Sequence, residues 1–469
     1  MKSADLSKWL PIEFAENITA AQELQSLIWD LATKPVPTGR LMRSLPVLTA
    51  PAKAALVFGA NWASAAFLGG TAMEEKLKQG RIKAALALLA AMAHLRGLFT
   101  KVGQLLANYP TLVPAEVADT LWSLNFQSPP MHFSLIREMF LNELGTDPEK
   151  LFASFDTRAF AAASLGQVHR ARLKTGEDVA VKIQYPNIGA TIRQDLANLK
   201  TLLSPLRLSA DWGNLQERLD DLTATLSMET DYENEARQLN RARELFAGDS
   251  DFAVPRAYTE ISTKRVLVMD YLQGVHLDRF LATEPAQAER DRYGTLILRS
   301  SMRLFYRARL VYSDISPGNY IFMPDGRLGL IDFGCSRLFS DEEWEYSRQM
   351  HHAVKLGSEA VRRAIRRSAT GSETGAVSED YLRAVEELND WNQQPIRTEG
   401  PFDFGNEKYF KEGLDIMMRL QTMAHHSSEP INVWYVRLFL SLRALLNRLG
   451  ARVDMHSVFE VECPPGIWA

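Results

Sequence analysis

Cysteine is nearly absent. Of 469 residues only Cys335 and Cys463 carry a thiol. That excludes a disulfide framework and a cysteine zinc site, and it fits a reducing compartment. The nine histidines show no pair at metal-ligand spacing. His351–His352 and His425–His426 are adjacent, so the members of each pair point apart on a helix. No charge of one sign dominates: the formal net charge of −4 gives no overall nucleic-acid signature. Long apolar runs are also missing, with one exception. Ala54 to Met73, "AALVFGANWASAAFLGGTAM", has no charge and is about long enough to span a bilayer. It is rich in Ala and Gly and carries Asn61, Ser64 and Thr71, so its hydrophobicity is low for a lipid-facing helix. A packed or interfacial helix is expected there. The opening "MKSADLSKWLPIEFAENITA" has no apolar core and does not read as a secretory signal. Internal repeats and low-complexity runs are absent.

The residues present describe a globular chain, 46% apolar and 23% charged. It is too long for one compact core, so two or three packed units are expected. Residues 1–110 hold twelve Lys/Arg against seven Asp/Glu, a local +5 that leaves −9 for the remainder. That asymmetry suits an anionic membrane surface. Up to about residue 150 the pattern is helical, with "RIKAALALLAAMAHLRGLFTKVGQLLANYP" ending near Pro110 and Pro114 opening the next helix. From about 155 it changes. "QVHRARL", the turn "KTGE" and "DVAVKIQ" read as strand, turn and strand. Helical segments follow from about 188 to 246. "KRVLVMDYLQG" reads as a buried strand entering a linker at Gly274, a long helix follows over about 285–308, and helices run to about 450.

The chemistry concentrates in "VYSDISPGNYIFMPDGRLGLIDFG", Val311 to Gly334. Asp314 is followed five residues later by Asn319, and eighteen residues later by Asp332 of a DFG triplet. Phosphoryl transfer from a nucleotide needs these types in this order: one carboxylate to accept the proton of the attacking hydroxyl, then an amide and a carboxylate to hold metal ions on the phosphates. "NYIFM", "PDG" and "RLGLIDF" form a hairpin whose turn returns Asp332 to Asn319. Upstream, "VAVKIQYP" places Lys182 on a strand, where a lysine can hold the α- and β-phosphates. Before it, "AAASLGQV" sets Ala161, Ala163, Gly166 and Val168 at the four fixed positions of a glycine-rich phosphate loop. Two glycines have become alanine, and each Cβ obstructs positive φ and close backbone approach. A stiffer loop with altered phosphate contact follows.

"KVGQ" (Lys101–Gln104), "AAASLGQVHRARL", "VAVKIQYP", "METDYENEA", "SPGN" and "DFG", in that order, resemble the UbiB/ADCK (AarF-type) atypical kinases. They span half the chain, and KxGQ and the alanine-rich loop are specific to that family. The resemblance implies an α+β, two-lobed protein-kinase-like fold with an N-terminal helical extension. Residues 1–150 would form the extension with KxGQ, 151–275 an N-lobe with a helical insert, and 276–469 a helical C-lobe. It also implies Mg²⁺-dependent ATP binding, weak ATPase activity, and a link to isoprenoid lipids such as ubiquinone. The expected place is cytoplasmic, peripheral at the inner membrane surface. Asp314, Lys182 and Glu235 would be catalytic, and Asn319 and Asp332 would hold the metal. Ala161, Ala162, Ala163, Ser164, Gly166, Val168, Lys182 and Met269 would contact the nucleotide. Lys101, Gln104, Glu229 and Asp231 would be regulatory.

Spacing alone leaves the ion pairing open. Lys101 and Gln104 share a helical stripe with Leu98 and Leu105, and a lysine there needs an acidic partner or an exit to water. Glu229, Asp231 and Glu235 lie within two helical turns, with Lys101 and Lys182 as the cations that answer them. The resemblance assigns Glu235 to Lys182, as the C-helix glutamate, and makes Glu229 and Asp231 the family's ExD motif facing the KxGQ helix. Three departures stand out. Tyr312 occupies a position where the family usually has histidine, Ser313 stands where many protein kinases have Arg, and no A-P-E follows DFG. Control by activation-loop phosphorylation through that Arg, and the usual platform for a protein substrate, are therefore not expected. Cys335, beside DFG, reads as a small packed residue rather than a reactive thiol. Beside an ATPase, two other readings of the same motifs are a small-molecule phosphotransferase and a lipid-binding scaffold switched by ATP.

Overall fold

The computed structural model describes residues 132–463, except 164, 187, 203–215, 217–219, 221–222, 225, 313–314, 371 and 424–430. The chain divides into two compact units. One comprises Met1–His132, Ala161–Gln167 and Gln184–Ser227; the other comprises Phe133–Phe160, Val168–Ile183 and Met228–Ala469. KxGQ and the uncharged run at 54–73 lie outside the described residues. Among the described residues, no helix is long and apolar enough to cross a membrane.

In the first unit the alanine-rich segment is extended. Ala161–Ala163 form β2, and the chain re-enters a strand at Gly166. Helix α3, Ile188–Leu202, follows Pro186.

The second unit begins with helices α1 (Phe133–Leu144) and α2 (Pro148–Leu151), then strand β1 (Ser154–Phe155). A sheet follows in the order β1–β3–β4–β6, from β3 (Gly166–Arg172, in this unit from Val168), β4 (Asp178–Gln184, in this unit to Ile183) and β6 (Val266–Asp270). The "KTGE" turn closes β3 on β4 with Gly176 at φ +109°, a conformation glycine adopts without a Cβ clash. β4 and β6 are antiparallel, with Lys182 opposite Leu267 and Ala180 opposite Met269. Both strands are almost wholly buried, which fits the apolar runs Val179–Val181 of β4 and Val266–Met269 of β6 and leaves Lys182 as the charged exception.

Helix α4, Tyr232–Leu245, buries Tyr232, Glu235, Ala236, Leu239 and Ala242, a stripe at helical spacing. Its first turn is capped by Asp231, whose carboxylate accepts from the Asn234 backbone N–H at 3.0 Å. Strand β5 (Phe252–Ala253) is followed, after β6, by the short helix α5 (Leu277–Leu281) and the long helix α6 (Gln287–Ala308). Helix α6 ends at Arg309 in the left-handed region and leads into β7 (Leu310–Tyr312). The expected hairpin is present: β8 (Tyr320–Phe322) and β9 (Leu328–Leu330) pair antiparallel, with Gly326 at φ +83° in the turn. The Ile331 N–H donates to the Asn319 carbonyl at 3.1 Å, which returns Asp332 to Asn319. After DFG, β10 (Ser336–Leu338) pairs antiparallel with β7, Ser336 opposite Tyr312. Helices α7 (Asp341–Leu356), α8 (Ser358–Thr370), α9 (Glu379–Arg397), α10 (Glu407–Thr422), α11 (Ile431–Leu449) and α12 (Met455–Glu462) follow. Two short strands, β11 (Phe402–Asp403) and β12 (Arg452–Val453), pair between them. One core joins Ala180 and Met269 of the sheet to Leu239 of α4, Leu296 and Ile297 of α6, Tyr320 and Phe333 of the hairpin, and Leu446 of α11.

Candidate functional site

A glutamate in the apolar stripe of α4 and a lysine in the buried run of β4 are each costly alone. Together they answer one another. Lys182 Nζ donates to Glu235 Oε1 at 2.8 Å and Oε2 at 3.0 Å, with the two side chains 8% and 1% exposed. The same ammonium donates to Asp332 Oδ2 at 3.0 Å. Tyr232, one turn before Glu235 on α4, sets its ring 5.0 Å from Nζ, so a π-face adds to the cation's partners.

One positive charge is thus shared by two carboxylates, and the electrostatics follow. Burial pushes the Lys182 ammonium down, but the charges of Asp332 and then Glu235 outweigh it and hold its pKa well above the ordinary value. Burial, then the negative charge of Asp332, pushes the Glu235 carboxyl up to about 7 against the pull of Lys182. The two carboxylates hold the proton on the lysine, while burial first and Asp332 second make Glu235 resist losing one. Burial likewise raises the Tyr232 phenol.

The DFG turn is packed directly on this pair. Gly334 N–H donates to Asp332 Oδ1 at 2.9 Å. A Cβ at Gly334 would lie 3.3 Å from both Asp332 Oδ1 and Glu235 Oε2, tighter than ordinary contact, so glycine is the residue that fits. Phe333 is fully buried, its ring 5.3 Å from that of Tyr312. Tyr312, at the position of the family's usual histidine, is itself buried and packs on the DFG phenylalanine.

The three acids of "METDYENEA" have separate environments. Glu235 takes Lys182, and Asp231 caps α4. Glu229 is buried and accepts from the Cys335 thiol at 2.8 Å. Asn319 closes a short 3-10 turn, Pro317–Asn319, and is buried. Met269 is buried in β6, and Val168 packs against the core. Ala161, Ala163 and Gly166 belong to the first unit. Asp314, Ser164, Lys101 and Gln104 lie outside the described residues.

Sequence reasoning missed Tyr232 and the Cys335–Glu229 contact. The signal for Tyr232 was present, since it stands three residues before Glu235 on one helical face. The contact had none, since its partners are 106 residues apart.

A family described as "ABC1 atypical kinase-like domain" matches residues 123–365, half of the chain and nearly all of the site. The chain belongs to this family. Among relatives of the ABC1 domain, "Atypical kinase COQ8B, mitochondrial" of Rattus norvegicus is 31% identical over 68% of this chain and 60% of its own length. "Protein ACTIVITY OF BC1 COMPLEX KINASE 1, chloroplastic" of Arabidopsis thaliana is 34% identical over 52% of this chain and 36% of its own. The chain spans about half the length of the curated relatives it matches. The solved complex of Rv3197 with erythromycin, from Mycobacterium tuberculosis, is 26% identical with a TM-score of 0.58, over 84% of this chain and 99% of that one. The ABC1 chain accordingly has the kinase-like fold expected of its motifs, with mixed helices and sheets.

Proposed function

We propose that this ABC1 chain binds ATP with Mg²⁺ and hydrolyses it as an atypical kinase, in a role tied to isoprenoid or quinone lipid at a membrane surface. The observation that carries the chemical part is the lysine of β4 held by two carboxylates, buried Glu235 and half-buried Asp332. Glu235 holds the ammonium in place, and a phosphate oxygen would take the place of Asp332 at it. Lys182 and Glu235 are the pair that aims charge at the α- and β-phosphates.

The donor set suits a hard cation. Asn319 and Asp332 offer oxygen ligands at the two ends of the hairpin, whose closing bond is the Ile331 N–H to the Asn319 carbonyl, and Mg²⁺ takes one or two protein oxygens and completes its shell with water and phosphate. When bound, the ion would neutralise charge developing on the transferred phosphoryl group. Asp314 is the proton acceptor. Ala161, Ala162, Ala163, Ser164, Gly166, Val168 and Met269 are the nucleotide contacts. Lys101, Gln104, Glu229 and Asp231 link the KxGQ and ExD motifs as a regulatory set. The lipid link is supported by membership in the family and by the local +5 of residues 1–110.

Phosphate release from Mg-ATP tests the reading. The parent should turn over and Asp332→Asn should not. Equal rates for the two would sink it.

A further inference from the structure

Cys335 follows the DFG triplet directly, is 2% exposed, and places Sγ 2.8 Å from Glu229 Oε1. Glu229 is itself buried, and it precedes Asp231, the cap of the helix that carries Glu235. The turn is tied on its other side too: Ser336 Oγ donates to the Phe333 carbonyl at 2.6 Å, and Ser336 pairs with Tyr312. Between these ties Asp332 has one oxygen on the Gly334 N–H and the other on Lys182.

We infer that Cys335 is a positioning residue for Asp332: its thiol, donating to Glu229, pins the DFG turn and so fixes where the Asp332 carboxylate points. The inference rests on the reading of Asp332 as a metal-holding residue. A neutral donor suits this place for a physical reason. A lysine or arginine at 335 would compete with Lys182 for Asp332 and Glu235. An apolar side chain would leave the Glu229 oxygen without this donor in a buried setting. The thiol satisfies that oxygen and leaves the negative charge around Lys182 undiminished, which favours a divalent cation at Asp332 and Asn319.

Nucleotide binding measured by calorimetry across a Mg²⁺ titration reads the effect without turnover. Cys335→Val, which keeps an apolar side chain and loses the donor, is expected to raise the Mg²⁺ concentration needed roughly 3–10-fold, the scale of one modest hydrogen bond. Cys335→Ser, which keeps a donor, should stay within about two-fold of the parent on the same scale. Binding measured in chelator should be alike in all three. A second readout needs no nucleotide. In a Cys463→Ser background, Glu229→Ala should speed labelling of Cys335 by an aromatic disulfide several-fold. A Cys335→Val protein with the parent's Mg²⁺ dependence, a serine variant as impaired as the valine one, or labelling unchanged by Glu229→Ala would each overturn the inference. A parent that binds no nucleotide at all would overturn the proposed function, and the inference with it.

Discussion

At the residue scale, the shared lysine sets the strongest expectations. Charge removal at Lys182 or Glu235 should weaken ATP binding or turnover. Lys182→Met should also destabilise the apo protein by about 3–5 kcal/mol, because two acids are left around an uncharged centre. Chemical denaturation beside a nucleotide titration checks both halves. The pH dependence follows from Glu235. Its folded-state pKa of about 7 lies above the ordinary 4.5, so the folded chain binds a proton that the unfolded chain releases first. The contribution to stability is therefore fully present below about 4.5 and is lost as pH rises through about 7. The parent should melt lower at pH 8 than at pH 6, and Glu235→Gln should flatten that difference. A parent melting point that rises over this window while the variant's stays level would contradict the assignment. For Asp314, Asp314→Asn should keep ATP affinity and lower turnover by roughly 10²–10⁴-fold, the range of a positioned general base. An unchanged rate in a parent that turns over would remove Asp314 from the mechanism.

At the scale of elements, the hairpin that carries Asn319 and Asp332 depends on a close crossing. Val275 and Phe322 exchange backbone hydrogen bonds at 3.1 and 2.8 Å, which brings the linker against β8. At Gly274, next to that bridge, a Cβ would sit 2.5 Å from Ile321 Cγ2 and 2.6 Å from the Phe322 carbonyl oxygen. Backbone cannot yield as a flexible side-chain end can, so Gly274→Ala should cost about 1–3 kcal/mol and displace the strand after Asn319. Thermal melting together with the Mg²⁺ requirement for nucleotide binding would show whether the two effects travel together. Much of this level was legible in the sequence. The pattern "QVHRARL–KTGE–DVAVKIQ" gave two strands and a turn, the Pro-Asp-Gly punctuation gave the hairpin, and the apolar period gave α6 within two residues at its start. The pairing between acids was not legible. Glu229, Asp231 and Glu235 are alike in charge and close in sequence, and only the start of α4 decides among them. Once Asp231 caps that helix, Glu235 falls on the buried stripe with Tyr232, and Glu229 is left facing Cys335.

At the scale of the second unit, the end of the described chain is fastened by charge. Helix α6 presents Arg299, Arg303 and Arg307 on one stripe, four residues apart. The stripe is visible in "RSSMRLFYR", yet its partners lie about 50 residues before it and about 160 after it, beyond any local pattern. Glu462, at the end of α12, is completely buried and accepts from Arg303 Nε at 2.8 Å and Nη2 at 2.6 Å, and from Arg299 Nε at 3.2 Å. Arg299 reaches Asp249 at 2.8 Å and Asp251 at 2.7 Å, and Arg303 shares Asp249 at 2.8 Å. The Arg303 guanidinium also stacks 4.9 Å from the Phe246 ring, so it is held by flat contacts as well as by charge. A network of this kind is costly to break by removing one member, yet weak as a net source of stability, because every charge was taken from water to build it. Two variants separate these statements. Arg303→Met leaves Glu462 short of its main donor and should destabilise the unit by about 3–5 kcal/mol, with α12 losing hydrogen-exchange protection first. Arg303→Met with Glu462→Leu removes both charges of the buried pair and should recover part of that loss, since an apolar pair of similar size can replace a buried ion pair at little cost while Arg299 keeps Asp249 and Asp251. If the double variant is as unstable as the single one, the network acts by orienting α6 and α12 and not by matching charge.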